Sequence, residues 1–446
     1  MLSPSRLEVL SASGSTVLSP DDPGYDAARR SFNGLVDRRP AVIVQPADTA
    51  GVAVAVRIAA EAGLPIAVRG GGHSVAGHSM ADDALAIDLR RMRRVIVDPV
   101  ERTSRVEGGA TWLDADTASV AHGLASTGGV YTDTGVAGLT LGGGIGYLMG
   151  SCGLACDNLI GAEVVTADGS VVRVDPDHDP ELLWALRGGG GNFGVVTTFE
   201  MALHEIGPLY GGRIKFEPTA GREVVAALLA LMDEAPPELV AIPVISGGTG
   251  VVDVGVCYRG PADAAERLLA DIRRFPIAED LARPCSYPDV QAAEELMEFG
   301  LRHWWKSHFV REIEATALEP VLDAFLAGEL RGELMIEAIT GIARQEPPGG
   351  AAFAQRDARY NVSAIAVWED SAEDDAMIAW ARETAARFEP ASLNGGGYIN
   401  YDVEVTADRV RTAYGPQRYE RLSRLKARVD PDNRFRFNHN IEPARI

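Results

Sequence analysis

Three glycine runs and a histidine carry the first hint of chemistry in this chain. Val68-Arg69-Gly70-Gly71-Gly72-His73-Ser74 follows the apolar run 64–68, which has the length of a short buried strand. Three successive residues without Cβ let consecutive N–H groups converge on an anion, forming a phosphate-binding nest. A histidine held directly after such a loop lies beside whatever carries the phosphates. Gly77-His78-Ser79 comes just after it. A second run extends from Thr134 and Gly135 through Gly138, Thr140, Gly142, Gly143 and Gly144 to Gly146. A third is Arg187-Gly188-Gly189-Gly190-Gly191-Asn192-Phe193-Gly194, which leads into Val195-Val196. Any one such run also serves as an ordinary turn. Three of them, each beside a strand, point to one long cofactor held by backbone contacts.

Further on, Arg302-His303-Trp304-Trp305-Lys306-Ser307-His308 collects cations and aromatics. On a strand, alternate residues share a face. Arg302, Trp304, Lys306 and His308 then lie on one side, with His303, Trp305 and Ser307 on the other. We take Arg302, Trp304 and Lys306 as substrate-pocket candidates, with Tyr131 and Tyr398. The tail Phe435-Arg436-Phe437-Asn438-His439-Asn440 crowds aromatics and amides together, as a segment docked on the first domain would.

These residues need elements to hold them. Residues 1–35 are polar and rich in turn signals, with a helix starting at Asp22-Pro23. The spacing predicts a strand at 41–44, a helix over 50–62 capped by Thr49 and ended by Gly63, and a strand at 64–68. Thr111 caps a helix through His122. A hairpin over 162–174 turns at Asp168-Gly169. From about Tyr210 to Asn400, amphipathic strands alternate with helices at 220–233, 262–274, 320–327 and 372–386. That pattern fits an antiparallel sheet with helices on one side.

With 446 residues the chain exceeds the usual single core, so two domains are expected. A net charge of −21 excludes a nucleic-acid binder and an anionic membrane surface as partners. The four cysteines, Cys152, Cys156, Cys257 and Cys285, lack the spacing of a zinc site and are too few for a disulfide framework. No metal is expected. The N-terminus lacks the pattern of a signal peptide, and no apolar stretch has membrane-span length, so a cytoplasmic protein is the simplest reading. No GxGxxG follows the first strand with an acidic residue at the spacing of a nicotinamide-binding Rossmann unit.

Taken in order, the three glycine runs, with Gly153-Leu154 and Asp157-Asn158, and the tail Asp430-Pro431-Asp432-Asn433 to Asn440 resemble the FAD-linked oxidases of the vanillyl-alcohol oxidase superfamily. More narrowly, the chain is similar to the berberine bridge enzyme-like branch and its bacterial hydroxynicotine and antibiotic-pathway oxidases. The resemblance covers about residues 32–443. It implies an α+β, two-domain fold: an FAD domain over 1–205, a substrate domain with an antiparallel sheet over 206–400, and a segment, 401–446, returning to the FAD domain. It implies FAD as cofactor, bonded through its 8α-methyl to His73. Carried over residue by residue, the cofactor site comprises Arg69, Gly70, Gly71, Gly72, His73, Ser74, His78, Ser79, Thr134, Gly135, Gly138, Thr140, Gly142, Gly143, Gly144 and Gly146. Asn158, Asn192, Gly194, Val196, Tyr401, Asn438 and Asn440 complete it. Tyr131 stands where some relatives carry a second, cysteinyl link, so a single bond is expected. Gly150-Ser151-Cys152 replaces a basic-aromatic stretch, and His439 stands where many relatives have Gln.

The implied activity is hydride transfer from a C–H of a small organic substrate to the flavin, followed by reoxidation by O2 to hydrogen peroxide. A self-oxygenating oxygenase and a dehydrogenase with another acceptor are the alternatives. In Tyr398-Ile399-Asn400-Tyr401 the family pattern makes Tyr401 the proton acceptor. A tyrosine titrates near 10, so the reading requires positive charge beside Tyr401, which the 302–308 cluster is expected to supply. Substrate and oligomeric state are not legible.

Overall fold

The computed structural model describes residues 2–293, 298–328 and 331–445. Its order of elements produces three principal sheets. The first has four strands in the order Thr16–Leu18, Val42–Gln45, Leu85–Asp88, Ile66–Arg69, the last three parallel. Parallel strands need a crossover, and helix Thr49–Ala62 carries the chain from Val42–Gln45 to Ile66–Arg69, between which Leu85–Asp88 later inserts. Asp48, not Thr49, caps this helix: its carboxylate accepts from Gly51 N at 2.9 Å. Gly63 ends it at φ 67°, in the left-handed region.

The second sheet is antiparallel and five-stranded, ordered Val95–Asp98, Thr103–Glu107, Val195–Ala202, Leu159–Val165, Val171–Val174. Thr111 caps the expected helix, Trp112–Val120, in a reciprocal box with Asp114. The third sheet has eight strands, all antiparallel. Its main order is Ile277–Asp280, Leu209–Phe216, Val252–Arg259, Leu239–Ser246, Glu333–Ala338, Tyr360–Trp368, Arg302–Val310, with Arg283–Cys285 also beside Leu209–Phe216.

One face of the large sheet is covered by helices Gly221–Glu234, Ala315–Leu326 and Asp374–Ala386, through Leu228, Phe325 and Trp380 among others. Its other face meets the glycine-rich half. Trp305, Phe309 and Met335 pack there with Phe32, Val130, Ile145 and Tyr398. The fold is therefore α+β, with the chemistry-bearing loops between the large sheet and the two smaller ones.

Several helices depart from the expected pattern. Pro4–Ala12 is a helix in a stretch that reads as polar turns, opened by Pro4 in its first turn. Helix Ala315–Leu326 begins five residues before Pro320, which it tolerates inside. Val136–Gly142 coils into a short helix although glycine recurs through it. The tail docks by helix Pro416–Val429, whose Leu422 and Leu425 join the core around Trp184 and Phe193. Among the described residues no helix is long and apolar enough to cross a membrane, and no cluster of His, Cys, Asp or Glu could hold a metal ion. The four cysteines form no disulfide.

Candidate active site

Strand Ile66–Arg69 delivers the first glycine loop against the second. A Cβ on Gly71 would come within 2.5 Å of Gly135 N, so only backbone fits between the two loops. The third loop joins them where Gly190 N donates to Leu141 O at 2.8 Å. The tail closes the ring: Asn438 Nδ2 donates to Gly191 O at 3.1 Å. One cavity runs between these segments and the large sheet.

Of the expected residues, Gly70, Gly71, Gly72, His73, Ser74, His78, Ser79, Thr134, Gly135, Gly138, Gly142, Gly194, Val196 and Asn438 line this cavity, together with Tyr131 and Tyr401. The others lie elsewhere, each for a visible reason. Arg69 is buried, its Nη1 donating to Ala28 O at 2.8 Å, and Gly72 lies over its guanidinium. Thr140 faces inward from its helix and is fully buried. Gly143 packs on Phe353, Gly144 on Ala155 and Gly146 on the Gly128 carbonyl. Asn158 bonds the carbonyls of Cys152 and Leu154, at 2.9 Å each, and the His204 ring. Asn192 bonds Gly189 O and His439 O and accepts from Ile441 N, stitching the third loop to the tail. Asn440 is outside the cavity wall. Tyr398 lies beneath it, its hydroxyl accepting from Gly144 N at 2.7 Å, Ile145 N at 3.2 Å and Asn400 Nδ2 at 2.8 Å.

The alternation in strand Arg302–Val310 is as the sequence implies, but the pocket takes the opposite face. Arg302 pairs with Asp374, Lys306 with Glu404 at 2.9 Å, and Trp304 packs on the helical side under Arg382. The helices need that face for their core, so the substrate-pocket assignment of Arg302, Trp304 and Lys306 is corrected. Trp305 is the member of this strand that reaches the cavity. No lysine or arginine lines the cavity among the described residues, so the expected positive charge beside Tyr401 is absent.

An acid stands there instead. Tyr401 donates its hydroxyl proton to Glu337 Oε1 at 3.0 Å, and Asn361 Nδ2 donates to Glu337 Oε2 at 2.7 Å. Burial pushes the fully buried Glu337 up to about 7. Burial, with Glu337 beside it, pushes the Tyr401 phenol well above its ordinary value. Trp305 meets Tyr401 edge-on, ring centroids 5.3 Å apart. Glu337 could have drawn notice as an acid directly after the apolar run Leu334-Met335-Ile336 in strand Glu333–Ala338; its partner, 64 positions away, is a tertiary fact.

FAD fits this cavity by the polarity of its wall. His78 Nε2, Ser79 Oγ, Asn438 Oδ1 and His439 Nε2 are buried atoms of cavity-lining residues, with no hydrogen-bond partner among the described residues. Buried polar atoms left unpaired ask for a ligand or water. Burial holds His78 near 4, and it keeps His439 well below its ordinary value, so both rings are neutral at pH 7. A Cβ at Gly138 would meet nothing within 4 Å, leaving backbone open to the cavity. A dinucleotide here would be held by N–H groups, hydroxyls and imidazoles, with no lysine or arginine on the wall among the described residues.

A glycine-lined cavity of this kind, beneath a sheet whose Glu337 meets Tyr401 from the C-terminal segment, is that of a flavin-dependent oxidoreductase. Residues 40–175 match the family described as FAD binding domain, and residues 397–442 match the one described as berberine and berberine like. Over 443 residues the chain is 34% identical to the (R)-6-hydroxynicotine oxidase of Paenarthrobacter nicotinovorans, covering 96% of both chains. The crystal structure of 6-hydroxy-D-nicotine oxidase from Arthrobacter nicotinovorans superposes with a TM-score of 0.88 at 32% identity, covering 96% of this chain and 98% of that one. Glucooligosaccharide oxidase from Acremonium strictum, which carries a 6-S-cysteinyl, 8α-N1-histidyl FAD, superposes at 0.87 with 25% identity, covering 99% of this chain and 100% of that one. The chain belongs to the berberine bridge enzyme-like FAD-linked oxidases, and it is an enzyme that uses FAD to oxidise a small molecule.

Proposed function

We propose that this oxidase removes a hydride from a carbon bearing nitrogen or oxygen in a small substrate with an apolar ring, and that it returns the electrons to O2. Bound FAD supplies the hydride acceptor, N5 of its isoalloxazine. The observation that carries the reading is the Tyr401–Glu337 pair at the edge of a cavity walled by Trp305, Met335, Tyr131 and Ile399. Aromatic and thioether walls hold a ring without fixing its polar groups. Tyr401 takes the N–H or O–H proton of the substrate as it passes its own to Glu337. A carboxylate titrating near 7 is matched to that task. The relay replaces the phenolate that the sequence reading required.

His73 is the attachment point for a single covalent bond to FAD, since Tyr131 occupies the place of the second link. The free thiols support a reducing, cytoplasmic setting. The similarity to a hydroxynicotine oxidase favours cyclic amines over sugars.

The test is anaerobic mixing of the purified enzyme with cyclic amines, including both enantiomers of 6-hydroxynicotine, with benzylic alcohols and with oligosaccharides. Bleaching of the flavin by an amine or alcohol, then stoichiometric hydrogen peroxide when O2 is admitted, is the expected result. Bleaching by oligosaccharides alone would overturn the substrate class. An oxygenated product in place of peroxide would reassign the enzyme as an oxygenase, and slow reoxidation by O2 as a dehydrogenase.

A further inference from the structure

We infer that Asp133 is the residue that makes His73 a nucleophile for its own flavin attachment. The inference rests on the covalent-FAD reading above and concerns a group that reading leaves without a role. His73 Nε2 lies 3.2 Å from Asp133 Oδ2, and both residues line the cavity. Asp133 Oδ1 is buried with no hydrogen-bond partner among the described residues, so the carboxylate has capacity to spare. The backbone contact of Gly71 with Gly135 fixes the two loops that present the pair. Phe32 stacks on the imidazole at 4.8 Å and Phe299 meets it edge-on at 5.0 Å, so the ring cannot turn freely.

The geometry selects a tautomer. A carboxylate facing Nε2 holds the proton on that nitrogen and leaves the Nδ1 lone pair as the attacking group. When the Nδ1–C bond forms at the 8α carbon, the ring gains positive charge, which the Asp133 carboxylate stabilises. Asp133 then accepts the Nε2 proton. For that bond to form, the 8α carbon has first given up one hydrogen as a proton; the electron pair left by the C–H bond stays with the isoalloxazine and passes from it to O2, which leaves with two protons as hydrogen peroxide. Asp133 never touches the cofactor in this scheme; it is a positioning residue and proton acceptor acting through His73.

The readout is the fraction of flavin that stays with acid-precipitated protein, followed in time by the fluorescence of the denatured band after FAD is added. Wild type is expected to retain its flavin. Asp133→Asn should bind FAD but attach it about 100-fold more slowly, the scale of a lost proton acceptor. Asp133→Ala should respond likewise and be accelerated by added formate or acetate, which a merely structural role would not produce. Unchanged attachment in both variants, with wild type covalent, would overturn the inference and spare the covalent reading. Wild type that releases its flavin into acid would overturn both. If Asp133→Asn binds no FAD, slow attachment of Asp133→Ala with rescue by formate sustains the inference, and its absence sinks it.

Discussion

Tyr401 and Glu337 share one hydrogen bond of 3.0 Å, and in it the phenol is the donor and the carboxylate the acceptor. A proton can therefore enter at the phenol oxygen from the substrate and leave to a group that neither touches solvent nor meets a cation. Removing the acceptor should remove the driving force while leaving the phenol in place. Glu337→Gln is expected to slow anaerobic flavin reduction about 100-fold, and Tyr401→Phe by a similar factor. Members of one relay are not additive, so the double variant should lose little more than either single one. Stopped-flow reduction rates decide this; two independent losses that multiply would break the relay apart.

The same carboxyl sets the pH behaviour. Burial raises Glu337 from 4.5 to about 7, so the reaction should quicken as pH rises through about 7 and Glu337 ionises. Stability runs the other way. Between 4.5 and 7 the folded chain keeps a proton that the unfolded chain releases, so folding loses stability as pH rises through that window, by on the order of 3 kcal/mol at most. Urea midpoints measured at pH 4.5 and 8 should fall further in wild type than in Glu337→Gln, whose rate profile should also lose its ascending limb near 7.

The two tryptophans of one strand separate binding from folding. Trp305 faces the cavity and Trp304 the helical core. Trp305→Ala should raise KM with a smaller change in melting temperature. Trp304→Ala should cost about 3–5 kcal/mol of stability and leave KM near its original value. Equal effects from both would contradict the assignment of faces.

Glycines can be tested for what they make room for. Gly71→Ala would press a methyl into the backbone of Gly135, so both loop packing and FAD loading should fall. Gly138 lies in helix Val136–Gly142 with open cavity before it. In a His73→Ala background, where FAD can be removed, Gly138→Ala should stabilise the apo-protein by up to about 1 kcal/mol and weaken FAD binding. Thermal melts with and without FAD give both signs; tighter FAD binding by Gly138→Ala would place the cofactor elsewhere.

Local signals in the sequence were sufficient for the first and third glycine loops, for strands Ile66–Arg69 and Val195–Ala202 beside them and for the place of His73 on the cavity wall, because a loop and a strand are built from neighbours; the second run coils into helix Val136–Gly142 instead. The strand Arg302–Val310 was legible too, including its alternation. Which face it turns to the cavity was not: that depends on the side on which the helices pack, a relation the strand's own residues do not encode. Glu337 escaped for a related reason. A buried acid acquires meaning from Tyr401 and Asn361, and one of these lies 64 positions away. Tyr398, read as a pocket residue, instead holds the backbone of Gly144 and Ile145; its polar end turned out to be occupied.

Among the ties between the tail and the third glycine loop is one buried ion pair. Lys426 Nζ pairs with Asp430 Oδ2 at 2.6 Å and donates to Asn192 O at 2.7 Å and Phe435 O at 3.0 Å. Neither side chain is exposed to solvent. The ammonium thus joins the third glycine loop to the cavity-lining tail. Lys426→Met would strand a buried carboxylate, at a cost of about 3–5 kcal/mol. The released carbonyls would also loosen the wall, so FAD content should fall with stability. Adding Asp430→Asn removes the stranded charge and should recover part of the stability, but not the tie between Asn192 and Phe435. Urea midpoints and FAD per protein, measured on both variants, should therefore separate: stability partly restored, cofactor loading still low. Loading that recovers in step with stability would show that the pair serves the fold alone.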